Sequence, residues 1–468
     1  MTKDKTPGEL LQEQLAFKPE SSGIRMSADE IDTAFAFCEG YKAFLDVGKT
    51  ERECAAYTIA LLRENGYTPF DTRKKYNPGD KVYLENRGKA LLFATIGTRP
   101  LSDGVKILAS HIDSPRIDLK QRPLYEEAQL ALLKTHYYGG VRKYQWVAIP
   151  LALHGVIVKK DGGIVEVCIG EDESDPVFCI NDLLPHLARE QDKRTLAEGV
   201  KGEELNVLVG ALPFKDDKAS EKVKLNILRL LSEKYGITEE DFLSAELCMV
   251  PAFKARDIGL DRSMIGAYGQ DDRVCAYTSL MACLSTPAPA YTWVNVLADK
   301  EETGSEGNTG LQSRFLENFI TALAKGNGYQ GYLVLESSEC LSADVNGAFD
   351  PTFPDVHDKK NTCYIGYGAV MSKYTGARGK AGTSDASAEF TGKIRNLLDS
   401  AGVNWQTAEL GKVDAGGGGT VAKFIAHLGA DVIDLGVPVL SMHAPMEVVA
   451  KTDVYSAYRA FQAFIAQQ

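Results

Sequence analysis

Residues 292–302 read TWVNVLADKEE, an apolar run typical of a buried β-strand that ends directly in charged side chains. Two further apolar runs predict strands at 331–337 (GYLVLES) and 431–442 (DVIDLGVPVLSM). Helical patterns lie between them, for example at 311–325 (LQSRFLENFITALAK) and 387–402 (SAEFTGKIRNLLDSAG). Strands that alternate with helices predict an α/β fold with a mixed, largely parallel sheet flanked by helices.

The chain before this region predicts helices over about 8–18 and 27–65. Ser27 with Glu30 and Thr50 with Glu53 have the spacing of capping boxes at two helix starts. Short strands follow, and the last of them ends at His111 (VKILAS, then His111). The pattern is that of the same α/β unit.

A different texture runs from residue 120 to residue 248, where several strands are separated by Gly-containing turns and followed by a charged, irregular stretch and a helix. We interpret 120–248 as an inserted, strand-rich domain. The α/β domain then consists of 1–119 and 249–468. A chain of 468 residues is long enough for two or three domains at about 100–200 residues each.

Composition narrows the class of protein. The formal charge of −12 argues against nucleic acid or an anionic membrane as the main partner. No apolar run approaches the roughly 18 residues of a membrane span, and the N-terminus (MTKDKTPGELLQEQ) lacks the apolar core of a secretion signal. Nine cysteines without a Cys-x-x-Cys pair are typical of reduced thiols, so we expect a cytoplasmic protein.

Two of the seven histidines, His111 and His443, stand where predicted strands end, and three acidic clusters stand at similar points. Each has an ordinary structural explanation: a histidine satisfied in the core, an Asp pair that caps a helix, or a solvated Glu pair. Their joint occurrence at strand ends favours a binding site, because ligand sites in open α/β sheets form there. Imidazole nitrogens with several carboxylates suit zinc or a similar divalent ion.

The spacing within these clusters also has chemical meaning. Of the adjacent pair Glu301 and Glu302, one carboxylate can bind metal while the other stays free as a base. Asp113, two residues after His111, can accept the other imidazole N–H and fix the tautomer. A carboxylate shared by two ions would complete a two-metal hydrolase site.

Five motifs together resemble the aspartyl aminopeptidase and vacuolar aminopeptidase I family, whose members are co-catalytic di-zinc exopeptidases. They are SHIDSPR (110–116), GQDDR (269–273), DKEETGSEG (299–307), SADVNGAFDP (342–351) and GVPVLSMHAPMEV (436–448). The resemblance spans nearly the whole chain, including the inserted domain. It implies that this domain forms dimers, which assemble into a tetrahedral dodecamer.

The resemblance also implies roles for individual residues. His111 and Asp344 would bind one ion, Glu302 and His443 the other, and Asp271 would bridge the two. Glu301 would be the general base and Asp113 would orient His111. The Asp271–Asp272 peptide bond is expected to be cis.

Three further residues have competing explanations. His186 (DLLPHLARE) is either a surface histidine or, by the resemblance, a residue that reaches a neighbouring subunit's active site. Lys373 is either a solvated loop charge or a contact for an acidic substrate side chain. Gly418, in a glycine run without the Gly-Lys-Ser/Thr ending of a phosphate loop, is either part of a flexible turn or a point where substrate approaches the backbone.

We therefore expect an aminopeptidase that removes N-terminal residues, acidic or neutral, from peptides with two divalent ions, zinc first and cobalt or manganese as alternatives. The nearest enzymatic alternative is hydrolysis of another amide, such as an acylated amino acid, by the same site. A catalytically silent assembly scaffold is the alternative of a different class. The intact set of six candidate ligand and base residues argues against it.

Overall fold

The computed structural model describes residues 5–286 and 288–468. Residues 1–4, which belong to the first part (1–119) of the predicted α/β domain, and Pro287, which belongs to its second part (249–468), lie outside the described residues. The helices of the described residues are α1 (Pro7–Leu15), α2 (Ser22–Arg25), α3 (Ala28–Val47), α4 (Glu51–Glu64), α5 (Lys222–Tyr235), α6 (Gln270–Leu284), α7 (Phe315–Gly326), α8 (Gly331–Glu336), α9 (Ala388–Ser400), α10 (Ala422–Ala426) and α11 (Lys451–Ile465). Both predicted capping boxes are formed, at the starts of α3 and α4.

The strands of the same residues are β1 (Thr68–Pro69), β2 (Lys81–Asn86), β3 (Ala90–Thr95), β4 (Lys106–His111), β5 (Arg116–Glu127), β6 (Leu130–Tyr138), β7 (Leu151–Val158), β8 (Ile164–Ile169), β9 (Cys179–Ile180), β10 (Val207–Gly210), β11 (Ala245–Pro251), β12 (Arg256–Ile258), β13 (Met264–Ala267), β14 (Trp293–Ala298), β15 (Glu339–Ser342), β16 (Asn346–Gly347), β17 (Ala369–Ser372), β18 (Trp405–Thr407), β19 (Asp431–Gly436), β20 (Pro438–Val439) and β21 (Glu447–Ala450).

The main sheet has nine strands in the order β1-β2-β3-β14-β4-β15-β19-β17-β18. Its four central strands, β14, β4, β15 and β19, are parallel to one another, whereas β2, β3 and β17 introduce antiparallel pairs. A smaller three-stranded sheet (β12-β13-β21) and a two-stranded one (β16-β20) lie apart from it. The mixed, largely parallel sheet is the one predicted.

Both faces of the main sheet are buried. In β14, Trp293 and Leu297 pack in one hydrophobic cluster, which also contains residues of α3, α4, α6, α9 and α11. Val294 and Val296 point to the opposite face and pack with residues of α7, α8 and α10. Alternate residues of a strand face opposite sides, so a strand covered on both sides is apolar throughout. The predicted α/β layering is confirmed.

One predicted strand is wrong. Residues 331–336 form α8, and the strand of the sheet is the next segment, β15. Val334 and Leu335 of α8 are buried against the sheet, which explains the apolar composition of the run. A short apolar run cannot by itself distinguish a strand from a buried helical turn, and leucine and glutamate favour helix.

A second sheet, antiparallel and seven-stranded, is built from the chain between residues 116 and 251 in the order β8-β7-β11-β5-β6-β10-β9. Its apolar side chains form a hydrophobic cluster of their own, against which α5 packs. The first and last strands of this sheet in sequence order, β5 and β11, extend past the predicted limits of 120 and 248. The chain therefore leaves the main sheet after β4 and returns before β14.

Buried ionic contacts tie this second sheet to α4. His154 of β7 lies 2.7 Å from the Glu53 carboxylate through Nδ1 and 3.1 Å from Glu171 through Nε2. Lys49, only 2% exposed, lies 2.6 Å from the same Glu171. Burial alone would lower the pKa of His154, but contacts with Cys168, Glu171 and Glu53 raise it to about 11. His154 is therefore held as a cation between two carboxylates.

None of the helices within residues 5–286 and 288–468 is both long enough and apolar enough to span a lipid bilayer. All nine cysteines are free, and seven of them are buried.

Candidate metal centre

The central parallel strands bring three of the candidate ligand positions to one edge of the main sheet. His111 is the last residue of β4 and lies opposite Ala298, the last residue of β14. Glu301 and Glu302 follow β14 directly, and Asp344 stands two residues after β15, the other neighbour of β4. The carboxyl ends of parallel strands meet at the same edge, so these side chains converge.

The other two candidates come from outside the main sheet. Asp271 lies in the first turn of α6, and the peptide bond between Asp271 and Asp272 is cis, as expected. His443 lies in the turn between β20 and β21, which brings it to the same place.

The two imidazoles face one carboxylate from opposite sides. Nε2 of His111 lies 3.2 Å from Oδ1 of Asp271, and Nε2 of His443 lies 3.2 Å from Oδ2. Each oxygen of Asp271 is therefore paired with a different histidine, the arrangement expected of a carboxylate that bridges two ions.

The remaining ligand atoms divide between the two histidines. Oδ1 of Asp344 lies 3.9 Å from Nε2 of His111, and Oε2 of Glu302 lies 3.5 Å from Nε2 of His443. His111, Asp271 and Asp344 offer three ligand atoms within 4.8 Å of one another, and so do Asp271, Glu302 and His443. Glu301 is adjacent, with Oε2 3.9 Å from Nε2 of His111.

Backbone carbonyls hold the far side of each imidazole. Nδ1 of His111 lies 2.9 Å from the carbonyl oxygen of Asp113 and 3.3 Å from its carboxylate Oδ1. Nδ1 of His443 lies 2.9 Å from the carbonyl oxygen of Gly140. A carbonyl can only accept, so each Nδ1 carries a proton, and in the neutral ring the lone pair of Nε2 then points toward the site.

Glu447 is a supporting residue that the sequence did not single out, although it lies in the motif that contains His443. Its Oε1 accepts the backbone N–H of His443 at 2.6 Å, and its Oε2 accepts that of Asp271 at 3.0 Å. Burial, reinforced by the charge of Asp271, raises the pKa of Glu447 to about 8. This side chain fixes the bridging ligand relative to the second histidine.

The pKa of Glu301 suits a general base. Burial raises this pKa; the imidazole of His111 opposes the shift, but the carboxylates of Asp271 and Asp113 add to it, and the value is about 7. Proton transfer is most effective when the pKa of the catalytic group lies near the working pH.

The other carboxylates are crowded enough to need cations. Burial raises the pKa of both Glu302 and Asp344, and negative neighbours add to the effect. Oε1 of Glu302 is buried and has no hydrogen-bond partner among the described residues. A divalent ion would satisfy that oxygen and offset the repulsion, so this donor set fits zinc or a similar metal.

A cavity of about 500 Å³ opens onto these side chains. Its remaining wall combines apolar and polar groups: Val345, Asn346, Thr375, Leu410, Thr420, Lys423, Phe424 and Met442. Lys423, at the start of α10, contributes an ammonium group that the sequence did not single out. The volume is that of a small-molecule or peptide-end pocket.

The three remaining candidates lie in different surroundings. Gly418 lines the cavity, and its N–H donates to the Thr375 carbonyl at 2.9 Å. Lys373 lies 3.5 Å from Asp385 and is not among the described residues that line the cavity. His186 is exposed in a turn of the inserted segment. The structure of one chain does not bring Lys373 or His186 to the metal ligands, so their substrate and trans roles stay predictions.

A family model and the individual proteins that are similar to this chain point to the same family. The family model described as aminopeptidase I zinc metalloprotease (M18) matches residues 44–465. The Clostridium acetobutylicum protein named "Probable M18 family aminopeptidase 1" is 50% identical over 467 residues, which cover 98% of this chain and 99% of that protein.

Solved structures are similar as well. The crystal structure of an M18 family aminopeptidase from Thermotoga maritima has a TM-score of 0.91 and 44% identity, covering 97% of this chain and all of that one. The S. cerevisiae mApe1 dodecamer has a TM-score of 0.75 at 22% identity, covering 93% of this chain and 97% of that one. At that identity the likeness concerns the fold.

Proposed function

The chain belongs to the M18 family of aminopeptidase I zinc metalloproteases and is a metalloaminopeptidase, and on that premise we propose that it works with two divalent ions, most simply zinc. His111 and Asp344 would hold one ion, Glu302 and His443 would hold the other, and Asp271 would contribute one oxygen to each. The observation that carries this proposal is the position of Asp271, with one carboxylate oxygen 3.2 Å from each imidazole Nε2.

The protein's own residues supply the proton transfers. Two divalent ions, when bound, lower the pKa of water and stabilise negative charge on the substrate carbonyl. Glu301 takes the proton from the attacking water, because its pKa lies near 7 and its carboxylate is not needed as a ligand in the proposed set. Glu301 then returns that proton to the leaving amine. Asp113 keeps His111 oriented throughout.

The cavity supports a preference at the N-terminal residue of the peptide. Leu410, Phe424 and Met442 offer apolar surface, and Lys423 offers one cation. Neutral side chains would pack on the apolar wall, and an acidic side chain would reach Lys423. We propose Lys423, in addition to the predicted Lys373, as a contact for the side chain of an acidic N-terminal residue. Gly418 would place its backbone next to the substrate.

We also propose that residues 120–248, with strand ends reaching 116 and 251, form a domain inserted between the two parts (1–119 and 249–468) of the catalytic domain and that this inserted domain makes dimers. Leu183, Leu184 and Leu187, which flank His186, are 49–67% exposed, and such a cluster fits a protein interface. We propose assembly of these dimers into a dodecamer by analogy with the S. cerevisiae mApe1 dodecamer, whose fold is similar. A tetrahedral arrangement of that dodecamer is what the family resemblance implies. The cytoplasm remains the proposed location.

A panel of chromogenic aminoacyl substrates, assayed after metal removal and after addition of zinc, cobalt or manganese, tests this proposal. Free N-terminal acidic or neutral residues should be released, with activity restored at two ions per chain. Cleavage of N-acylated substrates only would indicate an acyl-amino-acid hydrolase. No hydrolysis by a fully metal-loaded protein would indicate a scaffold.

A further inference from the structure

The end of β6 reaches the metal centre from the inserted sheet. Tyr138 is the last residue of β6, and its hydroxyl donates to Oδ2 of Asp113 at 2.7 Å. Two residues later, the Gly140 carbonyl accepts from Nδ1 of His443 at 2.9 Å. One short segment at the end of β6 therefore contacts both Asp113, which supports His111, and His443 itself.

Asp113 is the point where several parts of the centre meet. Its Oδ1 accepts the backbone N–H of Glu301 at 3.1 Å, and its Oδ2 accepts that of Glu302 at 3.2 Å. Nδ1 of His111 lies 3.3 Å from Oδ1. A rotation of this carboxylate would move the base, one ligand backbone and one imidazole together. The Tyr138 hydroxyl is a side-chain donor that opposes such a rotation.

Tyr138 is itself held in place. The guanidinium of Arg116 lies 4.2 Å from the centre of its ring. Arg116 in turn pairs with Glu51 of α4 at 2.8 Å and with Asp118 of β5 at 2.7 Å. The ring is therefore fixed by the second sheet and by the first turn of α4, and its hydroxyl is pre-oriented toward Asp113.

Gly140 acts on the other histidine through its backbone. A Cβ at this position would lie 3.1 Å from Nδ1 of His443, closer than most side-chain contacts allow. An alanine at this position would therefore push the imidazole of His443 by a few tenths of an ångström. The Gly140 carbonyl keeps the proton on Nδ1 and leaves Nε2 free to face Asp271.

We propose that Tyr138 and Gly140 are positioning residues, one for each half of the metal centre, so that the inserted sheet completes the active site within its own chain. This inference rests on the proposed two-metal function. It gives the insertion a role in the chemistry that is separate from assembly.

The test compares Tyr138→Phe and Gly140→Ala with wild type, and uses Tyr137→Phe as the matched control from the same strand. Tyr137 is 41% exposed and has no hydroxyl contact to the centre among the described residues. Metal-free proteins are titrated with zinc against a competing chelator. Asp344→Asn and His443→Ala serve as references for the loss of the first and the second ion.

Tyr138→Phe should weaken binding of the ion lost in Asp344→Asn by about 10–100-fold, the usual effect of removing a residue that orients a metal ligand. It should weaken binding of the other ion less, because Asp113 also holds the backbone N–H of Glu302. Gly140→Ala should weaken the binding of the ion that is lost in His443→Ala. At saturating zinc, both variants should have a reduced kcat and a KM close to that of wild type. The melting temperature of metal-free Tyr138→Phe should fall slightly, because the buried carboxylate of Asp113 loses one donor. Zinc affinity and kcat are therefore the deciding measurements.

The outcomes separate this inference from the proposed function. If wild type binds fewer than two ions, the proposed function fails. If wild type binds two and both variants titrate like Tyr137→Phe, the positioning role is wrong. If both variants weaken both ions equally, the assignment of one residue to each half is wrong. Should Gly140→Ala fail to fold, Tyr138→Phe decides alone.

Discussion

The backbone N–H of His443 donates to Oε1 of Glu447 at 2.6 Å, which links the turn that contains His443 to the first residue of β21. The second oxygen of Glu447 accepts from Asp271, so one buried carboxylate sets the spacing between a terminal ligand and the bridging ligand. Orientation of the ligands thus depends on a residue that touches neither ion in the proposed set.

Replacement of Glu447 by glutamine should lower the affinity for both ions about 10–100-fold. A glutamine has one acceptor oxygen for two N–H donors, so one donor is left buried and unpaired, at a cost of about 1–3 kcal/mol in the free energy of unfolding. Elemental analysis after dialysis and thermal denaturation of the metal-free protein measure the two effects. Full metal retention with unchanged melting would show that Glu447 has no supporting role.

Glu301→Gln should keep the fold and both ions but lose about 10²–10⁴-fold in kcat, the typical effect of removing a general base. Kinetics and elemental analysis of the same preparation check this. Glu302→Gln is the matched control, because loss of a ligand should reduce metal content as well. A metal-free Glu301→Gln protein, or a fully active one, contradicts the assignment.

His443→Ala should weaken the binding of one ion more than that of the other. The reason is that Asp271, Glu302 and His443 offer one group of ligand atoms, and His111, Asp271 and Asp344 offer another. A chelator titration should then resolve one tight and one weakened site per chain. Equal loss of both ions would show that the partition is wrong, and an unchanged titration would remove His443 from the site.

His186→Ala and Glu301→Gln should each be nearly inactive as pure assemblies if His186 acts on a neighbouring chain, with a loss of about 10²–10³-fold for His186→Ala. Dissociating, mixing and reassembling the two should restore activity, since a mixed pair regains one site with both residues. A mixture that stays inactive despite proven subunit exchange argues for action within one chain. A fully active His186→Ala protein makes His186 an ordinary surface residue.

Stability should depend on pH through His154. Its pKa is raised to about 11 in the folded chain, against about 6.5 when unfolded. The cation between Glu53 and Glu171 therefore stabilises the fold fully below pH 6.5, and this contribution is lost as pH rises toward 11.

Thermal denaturation of wild type and His154→Gln from pH 6 to pH 10 checks this dependence. The difference in melting temperature should be largest at pH 6 and should shrink as pH rises. His136→Gln, which removes an exposed histidine of the same sheet, is the control for the substitution itself. A difference that is constant with pH would mean that His154 stabilises by packing alone.

Local patterns were sufficient for much of the fold. The apolar run 292–298 and the capping boxes at Ser27 and Thr50 depend on neighbours in sequence, and the structure confirms them. The run 331–337 was misassigned because its burial, not its periodicity, determines its composition. The convergence of His111, Glu301 and Asp344 was predictable because each follows a strand of one parallel sheet.

The supports of the site were not predictable in the same way. Tyr138 and Gly140 meet Asp113 and His443 only because the second sheet folds back onto the first. Lys423 reaches the cavity from a helix of five residues that carries no recognisable motif. Contacts of this kind depend on tertiary structure, and a single sequence has no local signal for them.

The order of the proposed ligands along the chain affects when a newly made protein can become active. The first, His111, is synthesised early, but β4 lies between β14 and β15, which are translated much later, and His443 is the last of the five ligands to be synthesised. Such a sheet, rich in contacts between distant segments, folds only once those segments exist. A chain that has not yet been synthesised as far as His443 therefore cannot assemble the proposed centre.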